Sequence, residues 1–255
     1  KEYDPAAQVG CMMTSSGVAT YPLDCDPENV LGAYQAIRNT VFYYSDTFVF
    51  GEIPGYVKRT WKEKGVTINI SDEDLQLMKE NTIDFYSFSY YRSSVYSKNA
   101  ELFADTGGLS GVKNPFLKAC SPEPWKWPVD PVGIRYVLNM VYDRYRIPLF
   151  IVENGIGLDE NLDENHQIID PFRMEYVTDH LKQVHEAIED GVKVMGYLYW
   201  GPIDVVSAGT GEMRKRYGFV YVDRFNDGHG TLERVKKDSY DKFKAIIESN
   251  GESIL

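Results

Sequence analysis

Cysteine is scarce in this chain: Cys11, Cys25 and Cys120 are the three present, widely spaced and without a C-x-x-C pair. An odd, scattered set argues against a disulfide framework and a structural zinc site, and suits a reducing, cytoplasmic compartment. The four histidines form no H-E-x-x-H, so a zincin-type metal site is not expected. No apolar run approaches the roughly 20 residues that a membrane span needs. The polar start, Lys1 to Pro5, does not resemble a signal peptide, and it carries no initiator Met. Basic residues are outnumbered, 27 Lys and Arg against 38 Asp and Glu, for a net charge of −11. Nucleic acid and anionic membranes would repel such a chain, so any anion site must be a local gathering of cations. Walker A and G-x-G-x-x-G spacings are also missing, as are low-complexity segments and linkers.

What is present describes an ordinary globular protein, 43% hydrophobic and 25% charged over 255 residues, long enough for one substantial core. Aromatic side chains are abundant, with 19 Tyr and 4 Trp; such residues line carbohydrate sites as often as they fill cores. Four strand signals alternate with helix signals. The strands are Gln8–Met13, the aromatic Ile83–Tyr91, Leu149–Glu153 and Val194–Trp200. Asp26-Pro27-Glu28 predicts a helix start, with Val30, Tyr34, Ile37 and Val41 on one face. A shorter helix is expected over Gly51–Lys64, and Ser71-Asp72-Glu73-Asp74 predicts a capping box that opens a helix to about Glu80. Pro131 starts a helix with the stripe Ile134, Val137, Leu138, Val141, Tyr142 and Tyr145. Pro171 starts another, carrying Val177, Leu181, Val184 and Ile188 up to a stop at Gly191. A last helix is expected from about Lys236 to Glu248. The long stretch from Arg92 to Asp130, with Gly107-Gly108 and Asn114-Pro115, reads as irregular, and loops of that length are usually functional. Such alternation predicts a parallel α/β sheet. Four units fit a small doubly wound sheet or half of an eight-unit barrel equally well.

Two stretches carry chemistry. In Ile151-Val152-Glu153-Asn154-Gly155 a glutamate closes a buried strand, at the end where parallel α/β folds assemble their sites. Full burial of a carboxylate is costly, so Glu153 should stand at a mouth, partnered and partly solvated. A helix cap or an arginine partner is an equally good account of it. The other stretch, Asp204 to Gly218, holds three consecutive basic residues, Arg214-Lys215-Arg216. If the segment is extended, Lys215 and Tyr217 share one face. With Ser207 they would offer an ammonium and two hydroxyls to a phosphate group. A solvated basic turn is the plainer local alternative.

Taken together, these stretches resemble the C-terminal half of glycoside hydrolase family 1, and in particular its 6-phospho-β-glucosidase branch. The likeness runs from Val9-Gly10-Cys11-Met12 to the Ser249–Glu252 tail. It implies a TIM (β/α)8 barrel, of which this chain forms about units 5 to 8 as one region, residues 1–255, and it implies neither cofactor nor metal. The resemblance makes Glu153 the catalytic nucleophile and Tyr91 its hydroxyl contact. Ser89 stands where most members have a sugar-binding Asn. Trp200 would lie under the glycone, with Trp127, ahead of Trp125, as the aglycone platform. Ser207-Ala208 replaces the Glu-Trp of members that act on plain sugars, and Ser207, Lys215 and Tyr217 match the residues that hold a 6-phosphate. The implied partners are a phosphorylated β-glucoside and either the N-terminal half of the barrel or another copy of this chain. The family's acid/base Glu lies in an Asn-Glu-Pro tripeptide that does not occur here, so the chain alone is expected to be inactive. Two other classes stay open: a phosphosugar-binding module without catalysis, and a self-contained α/β protein in which Glu153 is structural.

Overall fold

The computed structural model describes residues 3–13, 19–99, 101, 114–117, 120–122 and 124–255. The first strand signal becomes β1 (Gly10–Met13), followed by β2 (Thr20–Pro22) and by helix α1 (Pro27–Ile37), whose first turn is capped by the Asp26 carboxylate accepting from the Glu28 amide. A π-helical turn, Arg38–Phe42, carries α1 into α2 (Tyr43–Phe50), and α3 (Gly55–Glu63) and α4 (Asp72–Glu80) follow. Both bonds of the Ser71–Asp74 capping box form at α4. Next come β3 (Phe85–Ser89), β4 (Ser94–Tyr96), α5 (Pro131–Tyr145), β5 (Leu149–Asn154) and β6 (Leu158–Asp159). Then come α6 (Pro171–Glu189), β7 (Val194–Tyr199), β8 (Lys215–Arg216), β9 (Val220–Val222), β10 (Arg234–Lys236) and α7 (Asp238–Glu248), with a 3-10 turn at Glu252–Ile254 after it. No described helix is long and apolar enough to cross a membrane. Of the irregular 92–130 stretch, residues 100, 102–113, 118–119 and 123, including the Gly107-Gly108 pair, lie outside the described residues.

The main sheet is wholly parallel and ordered β1-β3-β5-β7, the order of the chain itself. A doubly wound sheet reverses direction at a switch point; here each strand is added on the same side, as in a barrel. The architecture is therefore half of a (β/α)8 barrel. Leu149 and Ile151 of β5, with Tyr86 and Phe88 of β3, are fully buried against Ile134, Val137, Leu138 and Val141 of α5. All six residues of the α5 stripe are buried. The opposite face bears Phe85 and Phe150, with ring centroids 6.5 Å apart. Gly10 admits the Phe85 ring, which would lie 2.3 Å from any Cβ at that position. Met12 of β1 and Leu198 of β7 are 43% and 50% exposed, on the two strands that end the sheet.

The helical stripes hold only in part. Val30 and Tyr34 are each 48% exposed, while Ile37 and Val41 are buried. The π-helical turn breaks the 3.6-residue period, and α1 instead turns its small Gly32–Ala33 face inward, where the Tyr96 ring packs. Ile188 is also exposed; Ala187 takes the buried place in the last turn of α6. The helix expected over Gly51–Lys64 begins only at Gly55, because Gly51 (φ 67°) ends α2.

Candidate functional site

Strict alternation along β5 would aim Glu153 at the helices beside Ile151. A bulge prevents this. Phe88 pairs with Ile151 but Ser89 pairs with Glu153, and on the other side Ile151 pairs with Tyr197 but Asn154 with Tyr199. Both neighbours are thus one residue short of β5, and the extra residue re-aims the carboxylate. Glu153 emerges half-buried at the C-terminal end of the sheet. Tyr91 donates its hydroxyl to Glu153 Oε2 at 3.0 Å. Burial, and then the nearby Glu153 charge, push that phenol far above its ordinary range, so it stays protonated and keeps donating.

The backbone around Glu153 is clamped. Tyr90 N–H donates to the Glu153 carbonyl at 2.8 Å, and Trp200 N–H to the Asn154 carbonyl at 2.8 Å. The fully buried Asn154 amide donates to the Tyr90 carbonyl (2.6 Å) and the Tyr176 hydroxyl (3.0 Å), and accepts from Tyr197 Oη (2.7 Å). Asn154 therefore locks β3, β5, β7 and α6 at one level, and its side chain is spent on structure. Ser89 is buried opposite Glu153. Trp200 is half-buried just beyond β7, tied in through its backbone.

Beside this strand end lies the basic loop. β8 pairs antiparallel with β6, Lys215 opposite Asp159, so the segment is extended and Lys215 and Tyr217 do share a side. Ser207 Oγ and Tyr217 Oη are 3.4 Å apart. Lys215 Nζ stands 5.9 Å from the centre of the Tyr217 ring and 3.9 Å from that of Trp127. Trp127 in turn meets Tyr91 edge-on at 6.1 Å. Gly157 joins the two stretches, since any Cβ there would strike Lys215 Cγ at 2.6 Å and the Tyr217 ring at 3.1 Å. Ser207, Lys215 and Tyr217 are all buried. Burial lowers the Lys215 ammonium to about 8, outweighing the opposing charge of Glu212, as desolvation does to a cation. The solvated-turn account of this loop does not fit such burial.

The other basic residues of the loop have different work. Arg216 is buried, 3.4 Å from Asp204, and donates to the carbonyls of Glu160, Val222 and Arg224. It belongs to a buried ionic cluster in which Arg173, Arg216 and Lys237 face Asp170, Glu160 and Asp204, three charges of each sign. At its centre Arg173, fully buried, donates to the carbonyls of Ile156 (2.9 Å) and Tyr217 (2.6 Å), and to Tyr199 Oη (2.9 Å). One guanidinium therefore fixes both the loop after Glu153 and the loop that carries Lys215. Nothing in the local sequence marks this residue, because an arginine in a first helical turn ordinarily faces solvent. Among the described residues no three His, Cys, Asp or Glu side chains gather as metal ligands.

Comparison with known proteins extends this geometry. The chain is 47% identical over 252 residues to the aryl-phospho-beta-D-glucosidase BglH of Bacillus subtilis, covering 98% of the chain and 52% of that protein. It is 46% identical to a 6-phospho-beta-glucosidase of Dickeya chrysanthemi, again over 98% of the chain and 53% of the relative. The chain thus spans about half the length of the curated relatives it matches. The fold superposes on a beta-glucosidase of Thermotoga maritima, in complex with glucoimidazole, with a TM-score of 0.80 at 24% identity, covering 98% of the chain and 53% of that structure. The sequence model of glycosyl hydrolase family 1 matches residues 1–252. With a chain-ordered parallel half-barrel and a tyrosine-bound glutamate at its carboxyl end, the protein belongs to glycosyl hydrolase family 1.

Proposed function

We propose that this chain supplies the nucleophile and the phosphate-binding side of a retaining glycosidase that cleaves 6-phospho-β-glucosides to glucose 6-phosphate and an aglycone. The observation that carries the reading is the Glu153–Tyr91 pair with the buried Ser207, Lys215 and Tyr217 standing across Gly157 from it. Glu153 attacks the anomeric carbon as the glycosidic bond breaks, and an acid from the complementary half protonates the departing oxygen. That acid, now a base, activates the water that releases the sugar. Tyr91 holds the attacking carboxylate in place. Ser207 and Tyr217 hydroxyls and the Lys215 ammonium hold the 6-phosphate, Trp200 carries the glycone and Trp127 the aglycone, with Ser89 beside the nucleophile. A phosphorylated substrate and three free cysteines suit the cytoplasm. The exposed Met12 and Leu198, on strands with no outer neighbour among the described residues, suit a complementary half-barrel as partner, with a second copy as the substitute.

A 2-deoxy-2-fluoro 6-phosphoglucoside with a good leaving group, applied to the assembled barrel, should label Glu153, read by peptide mass spectrometry. Glu153→Ala should lose labelling and several orders of magnitude in rate. Labelling of another carboxylate would remove Glu153 from the role.

A further inference from the structure

Lys215 occupies a peculiar place for a buried cation. No ion-pair partner faces it among the described residues; its company is aromatic. The ammonium lies 3.9 Å from the centre of the Trp127 ring, 5.2 Å from that of Trp125 and 5.9 Å from that of Tyr217. Arg92 adds like charge nearby, and Glu212 is the acid whose charge reaches it. Ring quadrupoles attract a desolvated ammonium, and the indole faces of Trp127 and Trp125 hold this one.

We infer that Trp127 and Trp125 are a resting seat for the Lys215 ammonium, which a sugar phosphate draws off, so that filling the phosphate site uncovers Trp127 for the aglycone. The inference rests on the reading of Ser207, Lys215 and Tyr217 as phosphate ligands. A dianion with two hydroxyl donors beside it competes better for an ammonium than a ring face does. The Tyr217 ring, already within 6 Å of Nζ, marks the direction of travel. While the ammonium rests on Trp127, an aromatic aglycone has to displace it in order to stack there. Once phosphate holds it, the ring is free. Two subsites that share one side chain are thermodynamically coupled, and the coupling is reciprocal. Trp127 then selects for a substrate carrying both phosphate and aglycone, because an aglycone alone meets a ring covered by the lysine and a phosphate alone has to draw the lysine away from it.

The test uses indole ¹⁵N–¹H spectra of the intact protein, in which each of the four Trp residues gives one signal, assigned by single Trp→Phe variants. Calorimetry on the same samples reads binding separately. Glucose 6-phosphate should move the Trp127 and Trp125 signals and leave Trp61 in place, whereas glucose should not move the first two. In Lys215→Met the Trp127 and Trp125 signals should already be displaced in the free protein and should ignore glucose 6-phosphate. Affinity for 4-nitrophenol, an aglycone fragment, should rise at least about fivefold when wild type is saturated with glucose 6-phosphate, within the usual range of coupling. That gain should vanish in Lys215→Met and in Trp127→Phe. If calorimetry shows glucose 6-phosphate bound while both indole signals stay still, or if the 4-nitrophenol gain is absent, the seat is wrong and the phosphate reading survives. If glucose 6-phosphate does not bind at all, the phosphate reading falls and takes the seat with it.

Discussion

Replacing Arg173 by Met tests whether one buried guanidinium joins the two halves of the site. Its side chain is fully buried and is paired with Glu160 at 2.7 Å and Asp170 at 2.8 Å. Methionine fills much of the space and removes the charge, which leaves the cluster with one excess negative charge out of water. Removing one partner of a buried ion pair costs about 3–5 kcal/mol. The carboxylates keep other partners, Lys237 on Glu160 at 2.6 Å and the Ser239 hydroxyl on Asp170 at 2.6 Å, which favours the lower end of that range. Tyr217's carbonyl keeps the Tyr199 hydroxyl at 2.9 Å. Ile156's carbonyl loses its Arg173 donor, adding about 1 kcal/mol or more. A loss of about 4 kcal/mol follows, or roughly 8–16 °C in the midpoint of thermal unfolding for a chain of this size. Urea unfolding of the intact protein should show the midpoint falling with an unchanged slope. Arg173→Lys keeps the charge but not the fork and should lose about half as much. A Met variant that loses less than about 1 kcal/mol would refute the hub.

Tyr91→Phe removes a hydrogen bond to a charged acceptor, worth about 1.5–3 kcal/mol; kcat/KM on an aryl 6-phosphoglucoside should fall roughly 10- to 100-fold in the assembled enzyme, and turnover within twofold of wild type would contradict the contact. Lys215 lies near 8 when folded against 10.5 for the free side chain, so between those values the unfolded chain binds more protons. Its charge therefore burdens the fold below about pH 8, and that burden lifts as pH rises. Affinity for glucose 6-phosphate, measured by calorimetry, should fall above about pH 8 in wild type and stay flat in Lys215→Met; a flat wild-type profile would show that the ammonium does not contribute. His180 is fully buried and burial lowers it from 6.5 to about 4. A base depressed in the folded state lets the unfolded chain take up the extra proton, so stability drops as pH falls from about 6.5 towards 4, by about 3 kcal/mol in all. His180→Gln should flatten that part of the acid limb; an unchanged limb would clear the residue.

The fold was legible where one local rule governed. The α5 stripe is a plain 3.6-residue pattern, and every residue in it is buried. The start of α1 and the capping box of α4 follow from side chains that bond within a turn. Val30 and Tyr34 misled because a π-helical turn, invisible in composition, shifts the face that α1 presents. Doubly wound sheet and half-barrel could not be told apart from alternation alone, since strand order is a long-range property. In the site, the shared side of Lys215 and Tyr217 came from the two-residue period of an extended chain. The aim of Glu153 could not, because the bulge in β5 is defined only against β3 and β7. Arg173 was hidden for a similar reason: its partners arrive from Glu160, Tyr199 and Tyr217, far along the chain.

The chain-ordered sheet also bears on how the protein is made. Each of β3, β5 and β7 finds a partner in the strand preceding it in that series, so these three pairings need no segment synthesised several units later. Pairing can advance from one end as the chain leaves the ribosome, each loop closing over one unit rather than the whole length. That keeps contact order low for a parallel sheet, a class that otherwise folds slowly and exposes its edges while it does so. Among the described residues β1 and β7 each keep one unpaired side, with Met12 and Leu198 exposed there, so pairing within these residues leaves both ends of the sheet open to a further strand.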